Sequence, residues 1–134
     1  MFARHLRQGQ IGELMAQSFL RCQGYDILDS NWRSRGGELD IVCSKKDLLV
    51  FVEVKTRSDI RYGLPGEALT EKKQRRLLHA ASAYLSKHKL WERSCRIDLI
   101  SVCLQEHECQ IEHVPNVIEF SPTVGGRYSH WQPW

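Results

Sequence analysis

The sequence lacks the long apolar segment that a membrane-spanning helix requires. Its longest uninterrupted run of aliphatic or aromatic residues covers positions 48–52, whereas a helix needs roughly 18 or more apolar residues to cross a bilayer. The first residues include several bases, but the apolar region of a secretory signal does not follow them. We therefore expect a soluble, cytoplasmic protein that has no membrane partner.

The sequence also lacks a disulfide framework. Its five cysteines are odd in number, none forms a CxxC pair, and they lie scattered among apolar segments. This usage is typical of buried thiols in a reducing compartment. Cys103, His107, Cys109 and His113 are near one another in sequence, but their spacing matches no common zinc site, so no zinc is expected.

A strong charge of either sign is absent, so charge alone assigns no partner. The 19 Lys and Arg residues against 16 Asp and Glu residues leave a formal net charge of +3. This mild balance is compatible with nucleic acid but falls short of a strongly basic binder. The phosphate loop, the dinucleotide-binding glycine motif and the HExxH motif are also missing, which excludes the enzyme classes that they mark.

The size and apolar content of the chain predict a single domain. It has 134 residues, of which 42% are hydrophobic, and single domains cluster near ~100–150 residues. The periodic pattern stops after Ser121, where proline and glycine become frequent. We expect a single domain over residues 1–120 and an irregular tail over 121–134. Trp131 and Trp134 in that tail could dock on the domain or on a neighbour.

A helical pattern opens the chain over residues 8–23. Apolar side chains recur there at steps of three and four, which is the period of a helix with one buried face. That apolar stripe consists of Ile11, Leu14, Met15, Phe19 and Cys22. Glu13 lies away from the stripe, beside Ala16 and Leu20.

Strands and a second helix follow. The strands are predicted at 25–28, 38–43, 48–56, 96–104 and 109–114, with a short closing element at 115–120. Residues 29–31 have turn character, and the apolar start of the third strand places it at the centre of the sheet. Thr70 is the predicted N-cap of a helix that runs to about Lys89. This order favours an α/β fold with a mixed central sheet flanked by helices.

Two consecutive strands carry carboxylates and a lysine that are expected to meet. Asp40 and Glu53 are 13 positions apart on strands joined by a polar turn, so antiparallel pairing brings them together at one end of the sheet. Paired carboxylates, completed by water and phosphate oxygens, are a usual way to hold Mg²⁺. Lys55 shares the strand face of Glu53 and could orient an attacking water. Glu38 either joins this cluster or pairs with Arg35 or Lys55.

The simpler interpretation of Glu53 and Lys55 is an ion pair on one strand face, which contributes little stability when exposed. Both residues, however, directly continue the apolar run of the third strand. Solvated charges are not expected there unless the position is specialised. The placement therefore favours a functional site.

Basic residues flank the acidic cluster in sequence. They are Arg33, Arg35, Arg57, Lys72, Lys73, Arg75 and Arg76. Such residues contact phosphates and fix a nucleic acid without reading its bases. Four cations at a helix start oppose the helix macrodipole, so we expect this group to bind DNA. Trp32, beside the arginines, either packs in the core or stacks on a base.

In combination and in order, several motifs resemble the YraN-like bacterial family. They are Gly12-Glu13-x-x-Ala16, Asn31-x-Arg33, Gly37-Glu38-Leu39-Asp40, Phe51-Val52-Glu53-Val54-Lys55-x-Arg57 and Arg96-x-Asp98. Through that family the sequence is similar to the restriction-endonuclease-like superfamily, with its D…(D/E)xK signature, and to archaeal Holliday junction resolvases. The resemblance implies an αβββαβ core and cleavage of DNA that depends on Mg²⁺ or Mn²⁺.

The resemblance also implies a role for each acidic residue. Asp40 matches the signature aspartate, Glu53 the second acid, Lys55 the lysine, and Glu13 the glutamate of the first helix in resolvases. The implied catalytic residues are Glu13, Asp40, Glu53 and Lys55. The implied metal ligands are Asp40, Glu53 and Glu13. Leu39 stands where the full signature has a proline before the aspartate.

We therefore predict a metal-dependent endodeoxyribonuclease of the D-(D/E)xK type that hydrolyses phosphodiesters, with branched or structured DNA as its substrate class. The alternative is a non-catalytic DNA-binding or adaptor module that retains the nuclease fold. Resolution of a junction needs two symmetric cuts, so a homodimer is the expected assembly for an enzyme of that kind.

Overall fold

The computed structural model describes residues 2–58 and 69–119, with the backbone alone for residues 2–6. The elements are α1 (Phe2–Cys22), β1 (Asp26–Ser34), β2 (Gly37–Lys45), β3 (Leu48–Arg57), α2 (Glu71–His88), β4 (Ser94–Leu104) and β5 (Cys109–Ile118). The predicted domain boundary at 120–121 and the tail with Trp131 and Trp134 lie outside the described residues. In the described ranges, no helix combines the length and apolarity needed to cross a membrane.

The five strands form one mixed sheet in the order β1-β2-β3-β4-β5. β1, β2 and β3 pair antiparallel, β3 and β4 pair parallel, and β5 returns antiparallel to β4. A parallel pair needs a crossover connection, and the segment between β3 and β4 contains α2. β3 lies at the centre, as its apolar start predicts, and residues 49–52 are fully buried. The predicted α/β fold with an αβββαβ order is confirmed.

The two helices cover opposite faces of the sheet. Leu49 and Phe51 of β3 pack in one cluster with α2, through residues such as Leu77. Val50 and Val52 pack in the other cluster with α1, through Ala16 and Leu20 among others. Since successive strand residues point to opposite faces, the alternating membership of the two clusters means that the central strand is buried on both sides.

The face of α1 that packs on the sheet only partly coincides with the predicted stripe. Ala16 and Leu20 are fully buried, whereas Ile11 and Leu14 are 41% and 64% exposed. Gly12 lies so close to β3 that a Cβ at this position would overlap the Thr56 hydroxyl. The small residues bring α1 onto the sheet, and Met15 and Phe19 of the predicted stripe pack against the same cluster with partial burial. The prediction was wrong for Ile11, Leu14 and Cys22, which are exposed.

Two strands are longer than predicted because turn-like residues lie within them. β1 continues through residues 29–31, where Asn31 adopts a φ of 52° and the pairing register shifts. β5 runs on through residues 115–118, with a φ of 53° at Asn116 and another register shift. These residues mark irregularities that bend a strand rather than ends of the strand.

All five cysteines are free thiols. Cys43 and Cys103 are buried, as their apolar surroundings predict, and Cys95 is partly buried. Cys22 and Cys109 are exposed, so the expectation of buried thiols was wrong for these two. Cys22 is exposed because it shares the outer side of α1 with Ile11.

Candidate functional site

The two central acids meet where β2 and β3 separate. The ladder between these strands ends at the pair Ile41–Val52. Beyond this pair, the Asp40 side chain replaces a backbone acceptor of the ladder: its Oδ2 accepts a hydrogen bond from the Val54 N–H at 2.8 Å. The Glu53 carboxyl is hydrogen-bonded to the Asp40 side chain. The structure thus brings together two carboxyls that are 13 positions apart in sequence.

The surroundings of this acid pair leave its negative charge poorly compensated. Burial, the charge of Asp40 and the hydrogen bond to Asp40 raise the pKa of Glu53 to about 8. The nearby positive charges of Lys55 and Lys73 oppose this rise but do not cancel it. At neutral pH Glu53 therefore keeps its proton in the absence of a cation.

Glu13 approaches the same region from α1. Burial and the negative charges of Asp40 and Glu38 raise the pKa of Glu13 to about 7. With its amide nitrogen turned towards Glu13, Asn31 donates to the two carboxylate oxygens at 3.0 and 3.1 Å. In the part of the chain that the structure describes, no three His, Cys, Asp or Glu side chains converge to hold a metal. Glu13 is therefore an electrostatic neighbour of the acid pair, and its role as a third metal ligand stays a prediction.

Two lysines from different elements meet beside the acid pair. Lys55 on β3 lies next to Lys73 in the first turn of α2, and the nearness of this second ammonium group, together with burial, lowers the pKa of Lys55. Glu53 and Asp40 oppose that shift. The backbone of α2 begins where predicted, since the Thr70 hydroxyl accepts from the Lys73 N–H at 3.3 Å. The cap thus fixes the position from which Lys73 reaches the acids.

A cleft of about 540 Å³ opens beside these residues. It lies between the hairpin joining β1 to β2 and the start of α2. The charged residues that line it are Arg33, Arg35, Glu38, Asp40, Glu53, Lys73 and Arg76. The hairpin comes close to the helix because a Cβ on Gly37 would lie 2.9 Å from the Arg76 carbonyl oxygen, an approach that only glycine allows. The cleft thus carries acids and bases side by side.

The seven residues predicted to bind nucleic acid fall into two groups. Those that line the cleft are Arg33, Arg35, Lys73 and Arg76. Those outside its lining are Arg57, at the end of β3, and the exposed Lys72 and Arg75. The basic start of α2 therefore presents only part of its charge to the cleft.

Two interpretations left open by the sequence are decided by contacts in this region. Glu38 pairs with Arg33 and not with the predicted Arg35 or Lys55. Its Oε2 lies 3.3 Å from the Arg33 Nε, and both side chains are largely exposed. Trp32 packs edge-to-face on Tyr84 with ring centroids 5.2 Å apart, and its ring contacts the core cluster under α2. Trp32 is therefore a packed residue.

A second carboxylate lies on the other face of the sheet, under α1. Asp98 is fully buried and accepts two hydrogen bonds of 2.8 Å from Arg96 and one of 2.9 Å from the Asn116 N–H. The His113 Nε2 lies 2.7 Å from the Asp98 Oδ2. Burial alone would raise the pKa of Asp98, but these partners hold it below its usual range. Arg96 also donates to the Tyr25 hydroxyl at 2.9 Å.

Comparison with known proteins identifies the family. The family model described as "Uncharacterised protein family UPF0102" matches residues 12–102. This range includes β2 and β3, which carry the acid pair and Lys55, and the whole of α2. The chain belongs to the UPF0102 family. This confirms the resemblance inferred from the motifs.

Several UPF0102 proteins are similar over most of their length. The one from Nitratidesulfovibrio vulgaris (strain DP4) is 43% identical over 132 residues, which cover 98% of each chain. That of Trichlorobacter lovleyi is 46% identical over 115 residues, covering 84% of this chain and 91% of its own. The Lawsonia intracellularis protein is 40% identical over 126 residues, covering 94% and 96%.

A solved structure described as "Crystal structure of SSO0001" is a more distant match to the UPF0102 chain. It shares 14% sequence identity with a TM-score of 0.38. The match covers 88% of this chain and 55% of that one. A likeness of this degree carries no argument about the site.

Sequence reasoning on the UPF0102 chain missed the neighbours of the candidate residues. Nothing in the pattern indicated that Lys73 would contact Lys55, because the two belong to elements joined by a segment with no regular period. The contact between Asn31 and Glu13 was also missed, since residues 29–31 have the composition of a turn. The sequence offered one signal for this contact: Glu13 and Asn31 both belong to the motifs on which the family resemblance is based.

Proposed function

We propose that the protein is a metal-dependent nuclease that hydrolyses phosphodiester bonds in DNA. The observation that carries this proposal is the contact between the Asp40 and Glu53 carboxyls, next to two lysines in a cleft lined by arginines. Strongly shifted pKa values with specific charged partners in a cleft are characteristic of functional sites. The acids favour a cation, and the bases around them favour a phosphate.

The acid pair fits Mg²⁺ or Mn²⁺ as a ligand set. Mg²⁺ is usually held by one or two carboxylates and completes its shell with water and substrate phosphate oxygens. Asp40 and Glu53 would supply those carboxylates, so the site does not require Glu13 as a direct ligand. When bound, such an ion lowers the pKa of a water and neutralises charge on a phosphoryl oxygen.

The protein's own residues prepare the reaction around that site. The Val54 N–H holds the Asp40 carboxylate in place, which preorganises it for binding. Lys55 places an ammonium next to both acids, where it stabilises negative charge that develops on the phosphoryl group. Because its pKa is lowered, Lys55 is also able to exchange a proton with the attacking water. Glu13 adds negative charge beside Asp40 and so favours the cation.

The arginines of the cleft are proposed to bind the DNA backbone. Arg33, Arg35 and Arg76 surround the acid pair, and contacts from such side chains to phosphates carry no base sequence information. This arrangement suits an enzyme that acts on the form of the DNA, with branched or structured DNA as the candidate substrate. A cytoplasmic location would give it access to chromosomal DNA.

The experiment is a cleavage assay with purified protein on branched, flapped, nicked and single-stranded DNA, with Mg²⁺ or Mn²⁺. We expect cutting of at least one of these forms and its loss in Asp40→Ala and in Lys55→Ala. Glu106→Gln is the matched control, because Glu106 is 88% exposed in the turn before β5. Cutting that persists in both site variants comes from a contaminant and contradicts the proposal.

A non-catalytic DNA-binding or adaptor module is the second candidate. One observation favours it: the arginines that line the cleft can contact phosphates whether or not a metal is bound. DNA binding without cutting under any metal condition would select this function. Cutting that disappears in Asp40→Ala would select the nuclease.

A further inference from the structure

The acid pair and the two lysines form a compact group of four charges. Asp40 and Glu53 contact each other, and Lys55 contacts Lys73, while Glu53 interacts with both lysines. The positive charges of Lys55 and Lys73 compensate the acid pair only in part. Each like-charged pair is nevertheless held in contact by regular elements, which costs free energy unless a ligand of opposite charge is present.

A divalent cation on the acid pair would change this balance. With the carboxylates occupied, Lys55 and Lys73 lose the negative partners that compensate them. The region then carries an excess positive charge directly beside the cleft. A phosphodiester is an anion that can enter the cleft and restore the balance, with its oxygens next to both lysines.

Helix geometry selects Lys73 from the basic residues at the start of α2. Lys73 and Arg76 are three residues apart, which places them on one side of a helix, and both line the cleft. Lys72 and Arg75 are exposed and outside its lining. Lys73 additionally contacts Lys55, so it belongs both to the cleft wall and to the group of four charges.

We propose that Lys73, together with Lys55, forms the subsite for the phosphate next to the acid pair, and that it couples phosphate binding to metal binding. This proposal rests on the proposed nuclease function and specifies how its cleft holds a strand. Because such coupling is reciprocal, the cation increases affinity for DNA and DNA increases affinity for the cation. Lys72, one position away, takes no part in it.

The test is a measurement of DNA binding that does not depend on turnover. A fluorescent oligonucleotide is titrated with protein in Ca²⁺, which also prefers oxygen ligands, and again in EDTA, with intact DNA verified on a gel. For the unmodified protein we expect Ca²⁺ to increase affinity by about tenfold. In Lys73→Gln we expect this increase to fall below about twofold, and in Lys72→Gln to persist.

The paired variants separate coupling from general electrostatic attraction. Lys73→Gln and Lys72→Gln each remove one positive charge from the same turn of α2, so they reduce non-specific attraction alike. Lys73→Arg should retain most of the Ca²⁺ effect, since it keeps the charge, and circular dichroism melting checks that each variant is folded. Lys87→Gln, near the exposed end of α2, serves as a distant control.

Each outcome has a definite meaning. Equal Ca²⁺ effects in Lys73→Gln and Lys72→Gln would overturn the role of Lys73 and leave the proposed nuclease function standing. An unmodified protein that neither binds nor cuts DNA would overturn the nuclease function itself. Loss of the Ca²⁺ effect in Lys73→Gln alone, with the folded state retained, supports the subsite.

Discussion

Asp98 and Glu53 are acidic residues on neighbouring central strands, yet their surroundings shift their pKa values in opposite directions. Asp98, under α1, is fully buried and is surrounded by donors from Arg96, His113 and the Asn116 N–H. Glu53, on the α2 side, faces another carboxyl, and its pKa rises to about 8. Burial acts on both acids in the same sense, so the partners account for the difference.

The comparison separates a structural acid from a functional one. The partners of Asp98 satisfy its charge within the fold, so it needs no ligand and links β4, β5 and the start of β1. The acid pair has fewer donors and an open cleft beside it, so its charge is satisfied only by a proton or by a bound cation. A carboxylate that the fold leaves undercompensated is a better marker of function than a buried carboxylate as such.

The largest expected effect is the loss of stability on removing Asp98, the structural acid of the two. Asp98→Ala removes the common partner of Arg96 and His113 and leaves a partly buried guanidinium without its carboxylate. We expect a loss of about 3–5 kcal/mol in the free energy of unfolding, measured by urea denaturation. Asp26→Ala, at an exposed position on β1, should change it by less than about 0.5 kcal/mol. A loss below about 1 kcal/mol for Asp98→Ala would contradict the structural role.

The next effect is a gain of stability, expected on removing the ionisable group of Glu53. Glu53 keeps its proton up to about pH 8 when folded, whereas the unfolded chain releases it near its ordinary value. The metal-free protein therefore loses stability as the pH rises between these values. Glu53→Gln removes that dependence, and we expect it to stabilise the metal-free protein by about 1–2 kcal/mol at about pH 8. Urea denaturation at pH 5 and pH 8 measures it; no gain at pH 8 would count against the raised pKa.

The proposed metal affinity of the acid pair should depend on pH, because Glu53 keeps its proton to a higher pH than an ordinary carboxyl. A cation must displace the proton on Glu53, so the affinity for Mn²⁺ should rise with pH up to about 8. The expected slope is up to about tenfold per pH unit. Calorimetric titration at two pH values in buffers of different ionisation enthalpy measures both the affinity and the released proton. Affinity that is independent of pH would show that the pair is already ionised.

The smallest effect concerns Glu13, which we expect to influence the pair through its charge. Glu13→Gln keeps a group that can contact Asn31 but removes the negative charge near Asp40. We expect Mn²⁺ affinity to fall by less than about tenfold, whereas Asp40→Ala should remove detectable binding. A loss in Glu13→Gln as complete as that in Asp40→Ala would identify Glu13 as a direct ligand.

The closeness of Asp40 to Glu53 and the central position of β3 were predictable because they depend on patterns within short stretches of sequence. Alternation along β3 and a short polar turn before it suffice to place Asp40 near Glu53 and to bury the centre of the sheet. The face of α1 was not predictable in this way, since two adjacent stripes of that helix have apolar residues. Contact of Gly12 with Thr56 selects the stripe of Ala16, and that contact exists only once helix and sheet have packed.

The contact of Lys73 with the acid pair, like the buried face of α1, depends on how a helix packs on the sheet. Its register within α2 follows from the Thr70 cap, which the sequence predicts. The direction in which that helix crosses the sheet is set by its packing on residues such as Phe51, and no local pattern encodes it. The sequence could therefore name a basic helix start but could not say which of its cations meets Lys55.

The hydrogen bond from Val54 to Asp40 makes one backbone proton a spectroscopic reporter of the acid pair. The chemical shift of an amide proton depends on the charge of the oxygen that accepts it, and its exchange with solvent depends on how firmly that oxygen is held. A single Val54 resonance, followed through a titration with acid or with a divalent ion, would therefore distinguish in solution whether the pair carries a proton, a cation or neither.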